Sequence, residues 1–552
     1  MLNKIPGIML YYSHEVKNER MKKQPIKQKI MKNKKQVLLM GMIVCFVVIP
    51  MAVLAQPSRI IGGTQADHAN AIVRSITPPN GYVMAGWTRR LIAGTSNTTM
   101  DALVVRVNAY GVPIPVGPNN AVIAGGAQDE EATSMVRTSD QFYVVTGWTR
   151  SYHNTVNTNA DVFVIKFYSN LTVRWAKVYH MHTNDLGHRA NSIIEVTAPN
   201  GTTKGYILTG YLLSPNTATH RILVIRLDVD GNVTWVRTYG TGNNLYNEGF
   251  SITEVRGSIA TGVKFAVVGR TAATMTAQGD AFIMRLDSNG IVINPTRVFN
   301  GNYDDHARSV VWDGQVQVPG QAPGFMVAGM TKSTSPGSPT PANIWVARIR
   351  ANNGSVDWAN VYKWDTTTGD GLDRLDYIQG DKALIVTSGN ADSGFVLSGI
   401  TYSRGPNALN APNVLLIRLK PDGSVDWNGK ATVHPSLTSS NNFDIANGVV
   451  QSTAIPYLNL PGDGFAVAGW SNSFNPNPPS SLAGHNILFT TFAKDGTRPS
   501  SCAVHFKMMP STLPTWTTRI FDFPLNSMSK QDMSVSNCTV DSKDICYVYV
   551  EK

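Results

Sequence analysis

The chain has 552 residues, 48 Lys+Arg against 37 Asp+Glu for a formal charge of +11, 15% charged and 42% hydrophobic residues, 47 Gly, 30 Pro and 4 Cys. That apolar share excludes a disordered chain and a multi-span membrane protein, while the length admits several domains or one large repeat array. Four cysteines with no CxxC pair exclude a disulfide scaffold and a cysteine zinc site, and a basic balance points to nucleic acid only if the charge lies on the folded part.

It does not. Residues 1–40 hold ten Lys/Arg against Glu15 and Glu19, a local net of +8, which leaves 38 basic and 35 acidic residues for the rest. Residues 37–55 are then uncharged and apolar, contain Pro50, and end in Val53, Leu54 and Ala55 ahead of Gln56 and Pro57. A basic stretch, an apolar stretch and a small-residue cleavage site form a secretory signal. The basic part is long, and Met21 and Met31 are alternative starts. The expectation is a signal peptide over 1–55 and an exported body, secreted, periplasmic or at the cell surface. The alternative is an uncleaved anchor, since a membrane span needs about 17–25 residues. No nucleic-acid partner is expected, and a membrane association only if the leader stays.

Beyond the leader one segment recurs seven times: 81–86 (GYVMAG), 142–147 (FYVVTG), 205–210 (GYILTG), 264–269 (KFAVVG), 324–329 (GFMVAG), 394–399 (GFVLSG) and 464–469 (GFAVAG). Closing glycines stand 59 to 70 residues apart, and Tyr or Phe holds the second place every time. A second apolar run follows each, at 101–106, 161–166, 221–226, 280–285, 343–348, 413–418 and 486–491. Short β-branched and aliphatic runs bounded by polar residues predict buried strands. Turns such as 228–231 (DVDG) and 421–423 (PDG) come next and signal hairpins. Four of them precede a Trp-bearing strand, at Trp175, Trp235, Trp358 and Trp427. With an opening strand such as 190–194, each unit has about four strands, a to d, and no helical period is visible.

Four antiparallel strands repeated seven times predict an all-β fold, a seven-bladed β-propeller over 56–500, with a β-sandwich tandem as the alternative. Residues 59–62 resemble a d strand and are expected to complete the seventh blade. Units of the form GYILTG…LVIRLDVDGNVTW resemble the repeats of secreted bacterial β-propeller proteins of the quinoprotein-like class. The resemblance covers roughly residues 59–500. It implies the fold and leaves scaffold, adhesive and ligand-binding roles open.

The b–c loops (88–100, 149–160, 331–342, 401–412, 471–485) and the d–a connections are long and polar, so one face of the ring is built up, where binding residues concentrate. Two candidate sets fall there. Trp470, Trp87, Trp148 and Tyr211 end the b strands of adjacent blades, where the other three carry Arg270, Met330 and Ile400; flat aromatics suit sugar rings or apolar ligand faces, and inter-blade packing is the competing role. Acids and histidines precede the innermost strands: Asp67, His68, Glu130, Glu131, His188, Glu248, Asp305, His306 and Asp444. They form a polar ring round a central mouth, or else cap backbone amides in the d–a turns.

His180, His182 and His188 crowd one loop, but loop spacing does not establish a metal site. Asp228 and Asp230 match only part of a calcium loop. Nucleophile-elbow, zincin and phosphate-loop patterns are absent, as is the adjacent Cys pair of quinone-dependent dehydrogenases, so neither cofactor nor metal is expected. Over 501–552 the repeat fades. Two of Cys502, Cys538 and Cys546 are expected to pair, and 516–521 or 546–550 to cover the last blade and compete with 59–62. The leading expectation is an exported, monomeric, non-enzymatic binder of a glycan or protein partner. The alternatives are a glycan hydrolase or lyase using the acid/His ring and a structural envelope component.

Overall fold

The computed structural model describes residues 59–62, 66–75, 80–91, 98–115, 121–151, 159–181, 187–213, 219–240, 246–257, 262–274, 276–293, 296–301, 303–314, 322–332, 342–364, 394–401, 412–434, 444–452, 464–472 and 485–493, together with the strand backbones 383–386, 504–512, 517–521, 525–528 and 533–537. The leader, Cys502, Cys538, Cys546, the 546–550 segment, His182 and most of the b–c loops lie outside the described residues.

Among the described residues strand β1 (Arg59–Ile61) comes first. Unit 1 is β2 (Asp67–Arg74), β3 (Gly81–Leu91), β4 (Thr98–Asn108) and β5 (Ala121–Ala124). Unit 2 is β6 (Glu130–Arg137), β7 (Tyr143–Thr149), β8 (Asp161–Phe167) and β9 (Val173–Met181). Unit 3 is β10 (Gly187–Thr197), β11 (Thr203–Leu213), β12 (His220–Leu227) and β13 (Val233–Tyr239). Unit 4 is β14 (Tyr246–Glu254), β15 (Phe265–Ala272), β16 (Gly279–Leu286) and β17 (Thr296–Asn300). Unit 5 is β18 (Asp305–Trp312), β19 (Gly324–Thr331), β20 (Asn343–Arg350) and β21 (Val356–Trp364). Unit 6 is β22 (Ala383–Val386), β23 (Gly394–Thr401), β24 (Asn413–Leu419) and β25 (Lys430–His434). Unit 7 has β26 (Asp444–Gln451), β27 (Phe465–Ser471) and β28 (Asn486–Phe492), and the chain ends in β29 (Val504–Thr512), β30 (Thr517–Phe521), β31 (Leu525–Met528) and β32 (Met533–Asn537).

Within every unit successive strands pair antiparallel, and unit 7 takes its fourth strand from the start of the chain, with Arg59 opposite Phe489 and Ile61 opposite Ile487. Neighbouring a strands touch in a closed cycle, β2 to β6, β10, β14, β18, β22, β26 and back to β2. The b and c strands lie inside this all-β body, and β7, β8, β23 and β24 are buried at every residue. Strands covered on both faces read as unbroken apolar runs. An exception to the strand-only reading is a single helical turn, Asp426–Gly429, with Trp427 at φ +52°. Asn428 and Gly429 form a turn pair that delays strand d until Lys430.

The a strands share a feature that the repeat did not announce. Each of six carries a bulge at one register position: between Ala69 and Ala71, Ala132 and Ser134, Ala190 and Ser192, Gly249 and Ser251, Ala307 and Ser309, and Ala446 and Gly448. The bulge drives the preceding carbonyl against strand b. A Cβ on Gly86, Gly147, Gly210, Gly269, Gly329 or Gly469 would overlap the carbonyl oxygen of His68, Glu131, Arg189, Glu248, His306 or Ile445 respectively. The repeated glycine is therefore mid-strand, kept by close backbone approach.

The bulged residue reaches the next unit. Asn70 donates to the Ala132 carbonyl (2.9 Å), Thr133 to Ala190 (2.7 Å), Asn191 to Gly249 (2.9 Å) and Asn447 to Ala69 (3.0 Å). The last of these joins unit 7 to unit 1. At the outer side, the d-strand Trp and Tyr grip the following unit's c–d turn. Tyr179, Tyr239 and Tyr362 donate to the carbonyls of Gly231, Gly290 and Gly423 at 2.7–2.8 Å. Trp175, Trp235 and Trp358 lie against the same glycines, which have φ of +78° to +82°. Arg59 makes the corresponding seam contact from β1, donating to the Tyr110 carbonyl at 3.2 Å.

The chain's last strands depart from expectation. Residues 517–521 do not compete with β1, because β28 already has β1 as its outer neighbour; β30 instead pairs with β17 of unit 4. The tail runs backwards over open outer edges: β29 between β21 and β25, then β30 on β17, β31 on β13 and β32 on β9.

Replacing Gly147 by Ala forces a methyl into the Glu131 carbonyl, and a cost of about 1–3 kcal/mol is expected, as for overpacked cores. Gly240→Ala, whose Cβ would stand 3.3 Å from the Asn247 side chain and 3.6 Å from that of Arg221 rather than overlap a carbonyl, should cost less, within about 1 kcal/mol of wild type. Equal denaturation midpoints for the two variants would contradict this account of the repeat glycine.

Candidate functional site

The bulge register sorts the candidate residues into two rows. In the first, Asp67, Glu130, His188, Asn247, Asp305 and Asp444 stand opposite Thr88, Thr149, Leu212, Thr271, Thr331 and Ser471. Three of these pairs are joined by side-chain hydrogen bonds. Thr149 donates to Glu130 at 2.7 Å, Thr271 to Asn247 at 2.8 Å, and Ser471 to Asp444. Glu130 also accepts from the Gly126 amide of the d–a turn (2.8 Å), the capping role that competed with a ligand role in the sequence. Burial nevertheless raises its carboxyl above the usual range.

His188 belongs to this row and is buried. Its Nε2 donates to the Tyr179 carbonyl at 2.6 Å and lies 3.4 Å from Asp161, whose other oxygen accepts from His180 Nδ1 at 2.7 Å. The two histidines thus bracket a buried carboxylate inside the wall. Among the described residues no group of three or more His, Cys, Asp and Glu converges on a metal position. Asp228, the calcium-loop candidate, accepts the amides of Asp230 and Asn232 and the Asn232 side chain, which hold its carboxyl below the usual range against the opposing effect of burial.

The second row points the other way along the same end of the a strands. His68 faces Trp87, Glu131 faces Trp148, Arg189 faces Tyr211, Glu248 faces Arg270, His306 faces Met330 and Ile445 faces Trp470. The partner of Ile400 is outside the described residues. Here the aromatic and acid/His sets share one belt: His68 faces Trp87 and Glu131 faces Trp148 directly, while Tyr211 and Trp470 end the same row opposite Arg189 and Ile445.

At the seam of units 7 and 1, His68 is tilted against Trp87 (4.0 Å between centroids) and stacked on Trp470 (4.7 Å). His485 stacks on the same indole at 4.3 Å, which brings His68 Nε2 within 3.3 Å of His485 Nδ1. In unit 2, Trp148 is buried and donates to Glu131 at 3.0 Å, with the guanidinium of Arg189 4.0 Å and that of Arg150 5.3 Å from its ring. Asn70 adds a second bond to Glu131 at 2.8 Å. Between units 3 and 4, Tyr211, His220 and Tyr246 stack in series at 4.7 and 4.3 Å. Tyr246 donates to Glu248 at 2.8 Å, and Arg270 pairs with Asp304 at 2.9 Å, which also meets His306 at 3.2 Å.

Of the four aromatics, Trp87, Tyr211 and Trp470 are half-buried, whereas Trp148 is enclosed. Sequence reasoning missed Arg189, His220, Tyr246 and His485. Arg189 was legible as the residue two before the bulge, had the bulge been recognised; the other three enter from c-strand and d–a positions that differ between units.

Electrostatics follow burial. Burial raises the Glu131 carboxyl, opposed by its bonds from Asn70 and Trp148 and by Arg189. Burial, reinforced by His485 and Arg89, holds His68 well below 6.5; burial alone lowers His485, and burial with Arg189 lowers His220. His306 is pushed down to about 4, chiefly by burial against the opposing pull of Asp304.

No protein-family model matches the sequence, and a search of curated proteins gives no match. Similar solved structures are distant. Sqt1 of Chaetomium thermophilum, crystallised with the N-terminus of the ribosomal protein L10, is 11% identical, with 78% of this chain and 98% of that one covered at a TM-score of 0.35. The Bombyx mori GH32 β-fructofuranosidase BmSUC1 is 12% identical, with 84% and 94% covered at 0.30. Neither partner nor activity is carried over from them.

These histidines are neutral in the fold but take up protons near pH 6.5 in the unfolded chain, so the unfolded state gains as pH drops. Their contribution to stability is complete above about pH 6.5 and falls as pH descends, for His306 down to about 4. The melting temperature should therefore decline on acidification through this window, less steeply in a His68→Asn/His485→Asn double variant. A melting temperature that climbs as pH is lowered from about 7 to about 4.5 would contradict the burial assignment.

Proposed function

We propose that this protein is an exported seven-bladed β-propeller whose built-up end binds a glycan, borne on a polysaccharide or on a protein partner, without transforming it. The seven antiparallel units, the cyclic contacts of their a strands and the two seam bonds at Asn447 and Arg59 support the closed ring. Export rests on the leader's charge and apolar pattern alone.

The observation that carries the binding role is the belt itself. It sets half-buried Trp87, Tyr211 and Trp470 beside the carboxylates and guanidiniums of Glu131, Arg189, Glu248 and Arg270, at the end where the long polar loops emerge. Aromatic edges and faces interleaved with fixed hydrogen-bonding groups match the amphipathic surface of a sugar. Each polar group is held by neighbours, Glu131 by Asn70 and Trp148, Arg189 against Trp148, Glu248 by Asn191 and Tyr246 and Arg270 by Asp304, so the surface is ordered before any ligand arrives, which limits the ordering cost of binding. Trp148 contributes by holding Glu131 and Arg189 in place.

Glycan-array binding by the protein without its leader provides the test. Tyr211→Ala and a Trp87→Ala/Trp470→Ala double variant should each bind the selected glycan at least tenfold more weakly, about 1.4 kcal/mol, with the fold checked by melting temperature. Undiminished binding by both variants, or no glycan retained by the wild type, would remove the belt from consideration.

A further inference from the structure

Four described clasps between neighbouring a strands use Asn70, Thr133, Asn191 and Asn447, small polar side chains that satisfy a carbonyl of the next unit. Two adjacent units break the rule. Unit 4 has Phe250 at the bulge and unit 5 has Arg308, and the Arg308 guanidinium lies 4.1 Å from the Phe250 ring. The equivalent residue of unit 6 is outside the described residues.

By the pattern of the other units, an Asn at 250 would donate to the Ala307 carbonyl, as Asn191 does to Gly249. Phe has no donor to offer there, yet a large apolar side chain occupies a half-buried position on the innermost strands. Positions where a repeat abandons its own structural solution are where function is expected to have displaced stability. Immediately beside this pair stands His306, its ring 5.9 Å from Phe250, together with Asp304 and Arg270. The Arg308 guanidinium and the His306 imidazole thus flank one phenyl ring, and Asp304 is engaged by both His306 and Arg270.

We propose that Phe250 and Arg308 form a subsite for the carboxylate of an acidic sugar, a uronate, bound at the ring's inner wall between units 4 and 5. The Phe250 ring packs against the guanidinium at 4.1 Å, and a planar fork of N–H donors is the group that addresses a planar carboxylate bidentately. The phenyl edge offers apolar contact to the sugar's C–H face. This assignment rests on the glycan reading above and names the class of glycan.

The test compares wild type, Phe250→Asn, Arg308→Asn and Arg308→Lys for binding of oligogalacturonate and of a neutral maltooligosaccharide of equal length, with melting temperatures alongside. Phe250→Asn, which restores the clasp residue, should melt at the wild-type temperature or above it while losing at least tenfold in oligogalacturonate affinity. Arg308→Asn should lose as much, and Arg308→Lys should recover only part, since an ammonium lacks the fork. Undiminished oligogalacturonate binding by Arg308→Asn overturns the subsite, as does a Phe250→Asn variant that is less stable but binds normally, which would make the pair a substitute clasp. Binding of neutral glycans without oligogalacturonate overturns the uronate subsite alone and leaves the glycan reading standing; retention of no glycan sinks both.

Discussion

The approach of a backbone carbonyl to a glycine organises this molecule. In six units the bulge of the innermost strand presses one carbonyl into the space where strand b would carry a Cβ, and only glycine leaves that space. Two consequences follow from the extra residue. It frees a side chain that in four units bonds across to the next, and it reverses the facing of everything before it relative to everything after it. The clasps between units depend on the freed side chain, and the belt at the strand ends on the reversal. Unlike a core contact, the constraint cannot be met by a similar residue, since even Ala brings the forbidden atom.

The belt illustrates how the ring distributes charged groups that burial would otherwise penalise. Glu131 is held by Asn70 from unit 1 and by Trp148 from its own unit, and Glu248 by Asn191 from unit 3 and by Tyr246. Each carboxylate is thus partnered from the neighbouring unit as well as its own, which ties the polar surface to the packing of the blades. A shift between two units would break bonds at the inner clasp and at the belt together.

Much of this was legible in the chain. The spacing of glycines and apolar runs announced repeated four-stranded antiparallel units, and residues 59–62 read as the strand that pairs with the last c strand. The d-strand tryptophans and the Asp-x-x-Gly turns were visible as separate signals, but their mutual contact was not, because it joins one unit to the next. Which acid joins the aromatic belt also escaped the sequence. Asp67 and His68 sit side by side in the chain yet serve opposite rows, and unit 3 substitutes His188 and Leu212 for the usual acid and hydroxyl. The tail's route was hidden too, since any of several open edges accepts a short strand equally well by pattern.

The pairing of β1 with β28 sets the order in which the molecule can be completed. Arg59, the first of the described residues, is opposite Phe489, so this contact closes a loop spanning all seven units. Such long-range pairing is slow to form, because the entropy of bringing distant segments together is spent before any contact rewards it. A chain emerging from its N-terminus must keep that first strand unpaired until the final unit has emerged. Premature closure with the wrong partner is then the characteristic hazard of this architecture, and the short length of β1, three residues, reduces it by making any incorrect pairing weak.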